Sequence, residues 1–90
     1  MSWRRYRVQG RVQGVGFRAF VARAARAAGV RGAVRNEEDG SVVAVADGEP
    51  EALERFAADL RTGPRYARVD AVASEELGAR PVAERFDFDF

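Results

Sequence analysis

The sequence contains no cysteine, no histidine and no lysine. Without cysteine the chain can have neither a disulfide framework nor a thiol nucleophile. Without histidine it lacks the usual acid–base group at neutral pH, and the two absences together remove the common zinc ligands and the Ser-His and Cys-His nucleophile pairs. The lack of lysine excludes a P-loop, whose motif ends in Gly-Lys-Ser/Thr, and no G-x-G-x-x-G motif is present either.

Long apolar runs are also missing, and no stretch approaches the length of a membrane span. The first residues, Met1 to Arg5, have no apolar segment behind them, so we expect a cytoplasmic protein. Fifteen basic residues, all arginine, stand against 14 acidic ones, which leaves a net charge of +1. General nucleic-acid binders usually carry a stronger basic bias, so we expect no nucleic-acid partner.

Hydrophobic patterning predicts one domain over residues 1–90, with the element order β-α-β-β-α-β followed by a short terminal strand. The predicted strands cover residues 3–9, 30–36, 41–46, 65–74 and 86–90, and the predicted helices cover residues 17–28 and 50–62. Residues 37–40 form a predicted hairpin turn and residues 75–81 a predicted loop. This order is the ferredoxin-like split βαβ pattern, an α+β fold in which two helices cover one face of an antiparallel sheet.

A glycine-rich turn joins the first strand to the first helix. Gly10, Gly14 and Gly16 allow backbone N–H groups to converge on one point without steric penalty. The following helix adds its own unpaired N–H groups and the positive end of its dipole, which together suit a small anion such as phosphate. Arg18, in the first helical turn, adds a planar two-pronged cation. From these features alone, a flexible loop with a surface arginine is an equally good interpretation.

Asn36 ends the second predicted strand. In a split βαβ unit the first and second strands run parallel, so their carboxyl ends lie at the same edge of the sheet, and Asn36 should approach Arg18. An asparagine there offers both a donor and an acceptor and can hold a water molecule. The alternative is that Asn36 only begins the hairpin turn, which the residue preferences of turns favour.

The chain contains two longer motifs. One is Gly10-x-Val12-Gln13-Gly14-Val15-x-Phe17-Arg18, and the other is Gly32-x-Val34-Arg35-Asn36-x-x-x-Gly40-x-Val42-x-x-x-x-x-Gly48. These motifs resemble the first and second signatures of the acylphosphatase family, and the first signature is matched at every motif position. The chain departs from the second signature at Ala33, where the family usually has an aromatic residue, and we expect looser packing beside the site there.

The resemblance implies hydrolysis of the carboxyl-phosphate bond of acyl phosphates, without a metal or a cofactor, by a ferredoxin-like domain. Arg18 and the loop N–H groups would bind the phosphoryl oxygens, and Asn36 would orient the attacking water. The implied substrate-binding residues are Val12, Gln13, Gly14, Val15, Gly16, Phe17 and Arg18. Inorganic phosphate would be the product and a competitive inhibitor, and we expect a monomer.

Three other interpretations are weighed against this one. Acylphosphatase-like domains also head large carbamoyl-phosphate-using proteins of hydrogenase maturation, although a chain of this length argues against that role. Ferredoxin-like sheets include RNA-binding modules, but those stack bases on aromatic residues in mid-sheet strands, and residues 41–46 have none. A regulatory module would bind a phosphorylated ligand in the loop without turnover.

The absence of histidine and cysteine predicts a reaction that needs no neutral-pH acid–base group. After the substrate's own ionisation is subtracted, kcat/KM should show no enzyme step between about pH 5.5 and 7.5, the window that holds the usual histidine pKa. Hydrolysis should also survive excess EDTA, because no residue cluster has the spacing of a metal site. A pH–rate profile measured with and without EDTA tests both expectations.

A step inside that window would instead identify a perturbed carboxylate among residues 37–39, which we expect to be solvated, as a general base. Metal dependence would overturn the assignment of water positioning to Asn36.

Overall fold

The computed structural model describes residues 2–90, which form a five-stranded antiparallel sheet with two helices on one face. The elements are β1 (Ser2–Arg11), α1 (Phe17–Ala28), β2 (Arg31–Asn36), β3 (Val42–Gly48), α2 (Pro50–Thr62), β4 (Arg68–Leu77) and β5 (Phe88–Asp89). Their order across the sheet is β4-β1-β3-β2-β5. The predicted ferredoxin-like fold class is therefore confirmed. Within residues 2–90, neither helix has the length and hydropathy needed to cross a membrane.

The bounds of β3, β4 and β5 differ from the predicted ones. The predicted third strand ends at residue 46, yet Asp47 and Gly48 also lie in β3, because they pair with the start of β1. β4 begins and ends three residues later than predicted, since β1 is long enough to pair with it as far as Leu77. β5 contains only Phe88–Asp89, although backbone hydrogen bonds between Asp87 and Val34 and between Phe90 and Gly32 continue its contact with β2.

The hydrophobic core lies between the helices and the sheet. The apolar sides of both helices face this core: Val21 of α1 and Phe56 and Leu60 of α2 have no exposed surface. Tyr6 of β1 meets Phe56 edge-on, with ring centroids 5.4 Å apart. Burying side chains of this size is worth about 1.5–3 kcal/mol each, so this layer supplies much of the stability.

The other face of the sheet is covered by charged side chains and by the chain between β4 and β5. Arg5 of β1 and Arg35 of β2 both donate to the carboxylate of Glu84, which lies in that connecting segment. Glu84 thereby bridges the two strands on either side of β3. Val43 and Val45 of β3, on this same face, are fully buried. The connection from β4 to β5 is thus a cover for the sheet as well as a link.

The alternation of Phe86, Phe88 and Phe90 with charged residues predicts a single aromatic inner face, and this prediction is wrong for the whole set. Phe90 packs against Phe56, with ring centroids 5.9 Å apart. Phe86 instead lies beside the Arg35 guanidinium, 4.7 Å from the ring centroid, and Phe88 is 50% exposed. The tail is hydrogen-bonded to β2 from Asp87 to Phe90, so regular alternation along a strand does not extend to Phe86.

Replacing Glu84 with Gln should lower the free energy of unfolding by about 1–2 kcal/mol at neutral pH, because charge-assisted hydrogen bonds to two arginines are weakened. Burial by itself raises the pKa of Glu84, but hydrogen bonds from Arg35 and Arg5 outweigh it and hold the pKa below its usual value. A lowered folded-state pKa stabilises the protein above the unfolded value of about 4.3 and is lost as pH falls through the folded value. The difference between parent and variant should therefore shrink in acid, as measured by urea denaturation across pH.

Glu76→Gln is the matched control, because Glu76 is 67% exposed and sits 4.0 Å from Arg4. It should change the free energy of unfolding by less than about 0.5 kcal/mol. An equal effect of both substitutions would show that Glu84 has no special role.

Candidate active site

A cavity of about 200 Å³ lies where β1 and β2 end. Both strands pair antiparallel with β3 and are therefore parallel to each other, and Val42 of β3 is opposite both Val8 and Asn36. This places the loop after β1 and the end of β2 at the same edge of the sheet, as predicted. The cavity is lined by Val12, Gly14, Gly16, Phe17, Arg18, Ala19, Asn36 and Phe88.

The loop that joins β1 to α1 depends on two glycines with positive φ. Gly14 has φ 74° and Gly16 has φ 76°, a region that side chains disfavour. Gly16 is also the N-cap of α1, and no side chain caps the helix there. The first N–H groups of α1 have no acceptor within the helix and lie at the cavity that Gly16 lines. A tetrahedral anion with several acceptor oxygens suits such a cradle.

Gln13 fastens the loop to the neighbouring turn. Its side-chain N–H₂ donates to the carbonyl oxygens of Glu37 at 2.7 Å and Ser41 at 2.9 Å. These contacts occupy the amide nitrogen, and neither Gln13 nor Val15 is among the cavity-lining residues. Gln13 therefore holds the shape of the loop, and a direct contact with substrate by either residue stays a prediction.

Val12 and Phe17 line the cavity, but their side chains belong to the core. They are 1% and 2% exposed. Any hydrogen bond they give to a ligand must therefore come from their backbone. The first motif thus combines residues that anchor the loop with glycines that shape it.

Arg18 is held by an aspartate that the sequence pattern did not reveal. Its Nη1 lies 2.7 Å from Oδ2 of Asp87, and the same oxygen accepts the Asn36 backbone N–H at 3.0 Å. These two hydrogen bonds, the Asn36 one foremost, hold the pKa of Asp87 below its usual value. The Arg18 guanidinium also lies 5.2 Å from the centre of the Phe88 ring. Asp87 thereby ties together the two residues expected to do the chemistry.

The side-chain amide of Asn36 forms no hydrogen bond with any group in residues 2–90, and it lies at the cavity beside Arg18. Of the three turn residues expected to be solvated, Glu38 and Asp39 are exposed, whereas Glu37 accepts from Arg35 and its side chain is only 28% exposed. Hydrogen bonds from the hydroxyl and N–H of Ser41 lower the pKa of Asp39. A lowered pKa moves Asp39 away from the range of a general base at neutral pH.

Ala33, the departure from the second motif, lies away from the cavity. It is fully buried and pairs with Val45 and with Asp89. It neighbours the core residue Val34, so its side chain is on the face opposite the helices. The small side chain therefore affects packing on that face, and the expected effect beside the site is not seen in the lining of the cavity.

The groups at the cavity are backbone N–H, guanidinium, amide and carboxylate. Within residues 2–90 no set of three or more His, Cys, Asp or Glu side chains is arranged to hold a metal ion. A guanidinium and convergent N–H groups can bind a phosphoryl group, and a free amide beside them can orient a water molecule.

Comparisons with known proteins agree with this geometry. The sequence model of the family described as Acylphosphatase matches residues 4–88. The acylphosphatase of Nitratidesulfovibrio vulgaris is 47% identical over 92 residues, covering 100% of this chain and 92% of that protein. The acylphosphatase of Thermus thermophilus is 50% identical over 76 residues, covering 81% and 86%. The crystal structure of acylphosphatase from Bacillus subtilis superposes with a TM-score of 0.84 at 37% identity and covers 88% of each chain.

The anion cradle can be tested with two glycines in the same left-handed conformation at opposite ends of α1. Gly16 has φ 76° and Gly29 has φ 78°, and a Cβ at either position would meet nothing within 4 Å. Alanine at either should therefore cost about 1–2 kcal/mol of stability through backbone strain alone. Only Gly16→Ala should also weaken binding of inorganic phosphate, by about tenfold, the loss of roughly one good hydrogen bond to a charged group. Calorimetric titration with phosphate measures this.

Phosphate affinity unchanged from the parent in both variants would show that the N-terminal loop is not the cradle. Equal loss in both would trace the effect to helix stability rather than to the loop.

Proposed function

The chain belongs to the acylphosphatase family and hydrolyses acyl phosphates, and on this premise we propose how its residues share the work. The backbone N–H groups around Gly14 and Gly16 and the guanidinium of Arg18 bind the phosphoryl oxygens. The side-chain amide of Asn36 orients the attacking water. The observation that carries this assignment is that Arg18 and Asn36, from different elements, line one cavity and share Asp87 as a partner.

The reaction requires little covalent chemistry from the protein. The water oxygen attacks phosphorus, the bond from phosphorus to the acyl oxygen breaks, and the carboxylate leaves with the bonding electrons. The water's protons end on phosphate or in solvent. A carboxylate is a good leaving group and needs no strong general acid. Positioning and electrostatic stabilisation therefore supply most of the acceleration, as is general in phosphoryl transfer.

Asp87 acts as a positioning residue for Arg18. It takes one Nη1 hydrogen bond, and the planar guanidinium has further N–H groups that can meet the phosphoryl oxygens. The same carboxylate oxygen fixes the backbone at Asn36. One anion thus sets the separation between the phosphate-binding cation and the water-binding amide.

The covered face of the sheet argues against the alternative of an RNA-binding module. Such a module offers an open sheet face with exposed aromatic residues. Here that face is crossed by ion pairs through Glu84, and Val43 and Val45 beneath are fully buried. A monomeric state, the lack of a nucleic-acid partner and a cytoplasmic location stay predictions.

Two substitutions should separate phosphate binding from water positioning. Arg18→Ala should lower kcat/KM for benzoyl phosphate by about 10²–10³-fold and also weaken inhibition by inorganic phosphate, because the phosphate loses its cation and keeps the nearby charge of Asp87. Asn36→Ala should mainly lower kcat, with phosphate inhibition within about twofold of the parent, because the substrate still binds. Steady-state kinetics with phosphate as inhibitor measures both.

Arg55→Ala, an exposed arginine on α2, is the control for loss of one positive charge. Circular dichroism should show that all variants are folded. Activity of Arg18→Ala within a few-fold of the parent would remove Arg18 from the site. A large loss of phosphate affinity in Asn36→Ala would show that Asn36 holds the phosphate and not the water.

A further inference from the structure

A groove of about 390 Å³ adjoins the phosphate cavity along the outer side of α1. The two share Arg18, Ala19 and Phe88 in their linings, so the groove begins where the phosphate site ends. Beyond these shared residues it is lined by Ala22, Arg23, Arg26 and Asp89. A phosphate held at the loop would therefore have its substituent at the mouth of this groove.

The groove is apolar near the cavity. Ala19 and Ala22 leave room beside the helix, and the half-exposed ring of Phe88 forms the facing wall. An apolar ring that is exposed on a protein surface gains free energy when a ligand covers it. The hydrocarbon part of an acyl group fits this wall.

The far end of the groove is positively charged. Arg23 and Arg26 are exposed, and within residues 2–90 neither forms an ion pair. The one carboxylate in the lining, Asp89, is paired with Arg80 at 3.0 Å. Because Arg23 and Arg26 have no carboxylate partner among the described residues and Asp89 is already paired, this end of the groove has a surplus of positive charge.

Helix geometry places these arginines at increasing distance from the phosphate. Arg23 and Arg26 follow Arg18 by five and eight residues, which corresponds to about 7.5 and 12 Å along the axis. Side chains on a helix lean towards its N-terminus, so both reach back towards the cavity. A second anionic group on the acyl chain would meet them while the phosphoryl group occupies the loop.

We propose that this groove is the acyl-group site and that it selects acyl phosphates whose acyl group carries a second negative charge. The proposal rests on the function proposed above, because the phosphate must sit at the loop for the acyl group to enter the groove. The hydrocarbon part of the acyl group packs between Phe88 and the two alanines. Its distal carboxylate or phosphate pairs with Arg23 and Arg26.

The test uses two substrates that differ by one carboxylate, benzoyl phosphate and 4-carboxybenzoyl phosphate. At low ionic strength the parent should hydrolyse the carboxylated substrate with a kcat/KM about 3- to 10-fold higher, the effect of one or two exposed ion pairs. The doubly substituted variant Arg23→Gln, Arg26→Gln should bring the ratio of the two kcat/KM values close to one. Raising the salt concentration should reduce the ratio in the parent, because exposed charges are screened.

Arg55→Gln is the matched control, since it removes an exposed helical arginine that does not line the groove, and it should keep the parent's ratio. Hydrolysis of both substrates at equal rates by the parent, or a preference that survives the double substitution, would overturn the groove proposal alone. Failure of the parent to hydrolyse either substrate would overturn the proposed function instead. The two failures are therefore distinguishable in one set of measurements.

Discussion

The placement of the site depends on the pairing of β3 with strands on both sides. Residues 42–46 of this strand have no exposed surface, so β3 is buried on both faces. Because β1 and β2 both run antiparallel to it, they are parallel to each other and end at one edge. The loop with Arg18 and the strand end with Asn36 meet only for this reason.

The two faces of the sheet are buried by different means. On one face the helices supply apolar side chains, and burial alone is strongly favourable there. On the other face, β1 and β2 present arginines, which must keep their charges paired if they are to cover the valines of β3. Glu84, in the segment between β4 and β5, supplies the carboxylate that pairs with these arginines. Since a buried or half-buried charge pair is costly to break, this segment is fixed in place and the residues after it follow a defined path.

That path brings the end of the chain to the candidate active site. Asp87 reaches Arg18 and the Asn36 N–H, and Phe88 forms a wall of both the phosphate cavity and the adjoining groove. The cover of the sheet, the orientation of Arg18 and the groove beside α1 are thus coupled through residues 84–88. A substitution in this segment would therefore alter the position of Arg18 or Asn36 without changing the glycine-rich loop.

The sequence by itself determined the fold class, the glycine-rich loop and the meeting of Arg18 with Asn36, because each follows from local patterns: glycine spacing, helical periodicity and the parallel strands of a split βαβ unit. Asp87 could not be found in this way, since it lies 69 residues from Arg18 and its pattern was that of an outward strand position. The same holds for the amide of Gln13 and for the groove beside Arg23. Their roles were decided only by the tertiary structure, because a side chain's partners depend on which distant segments the strand order brings beside it.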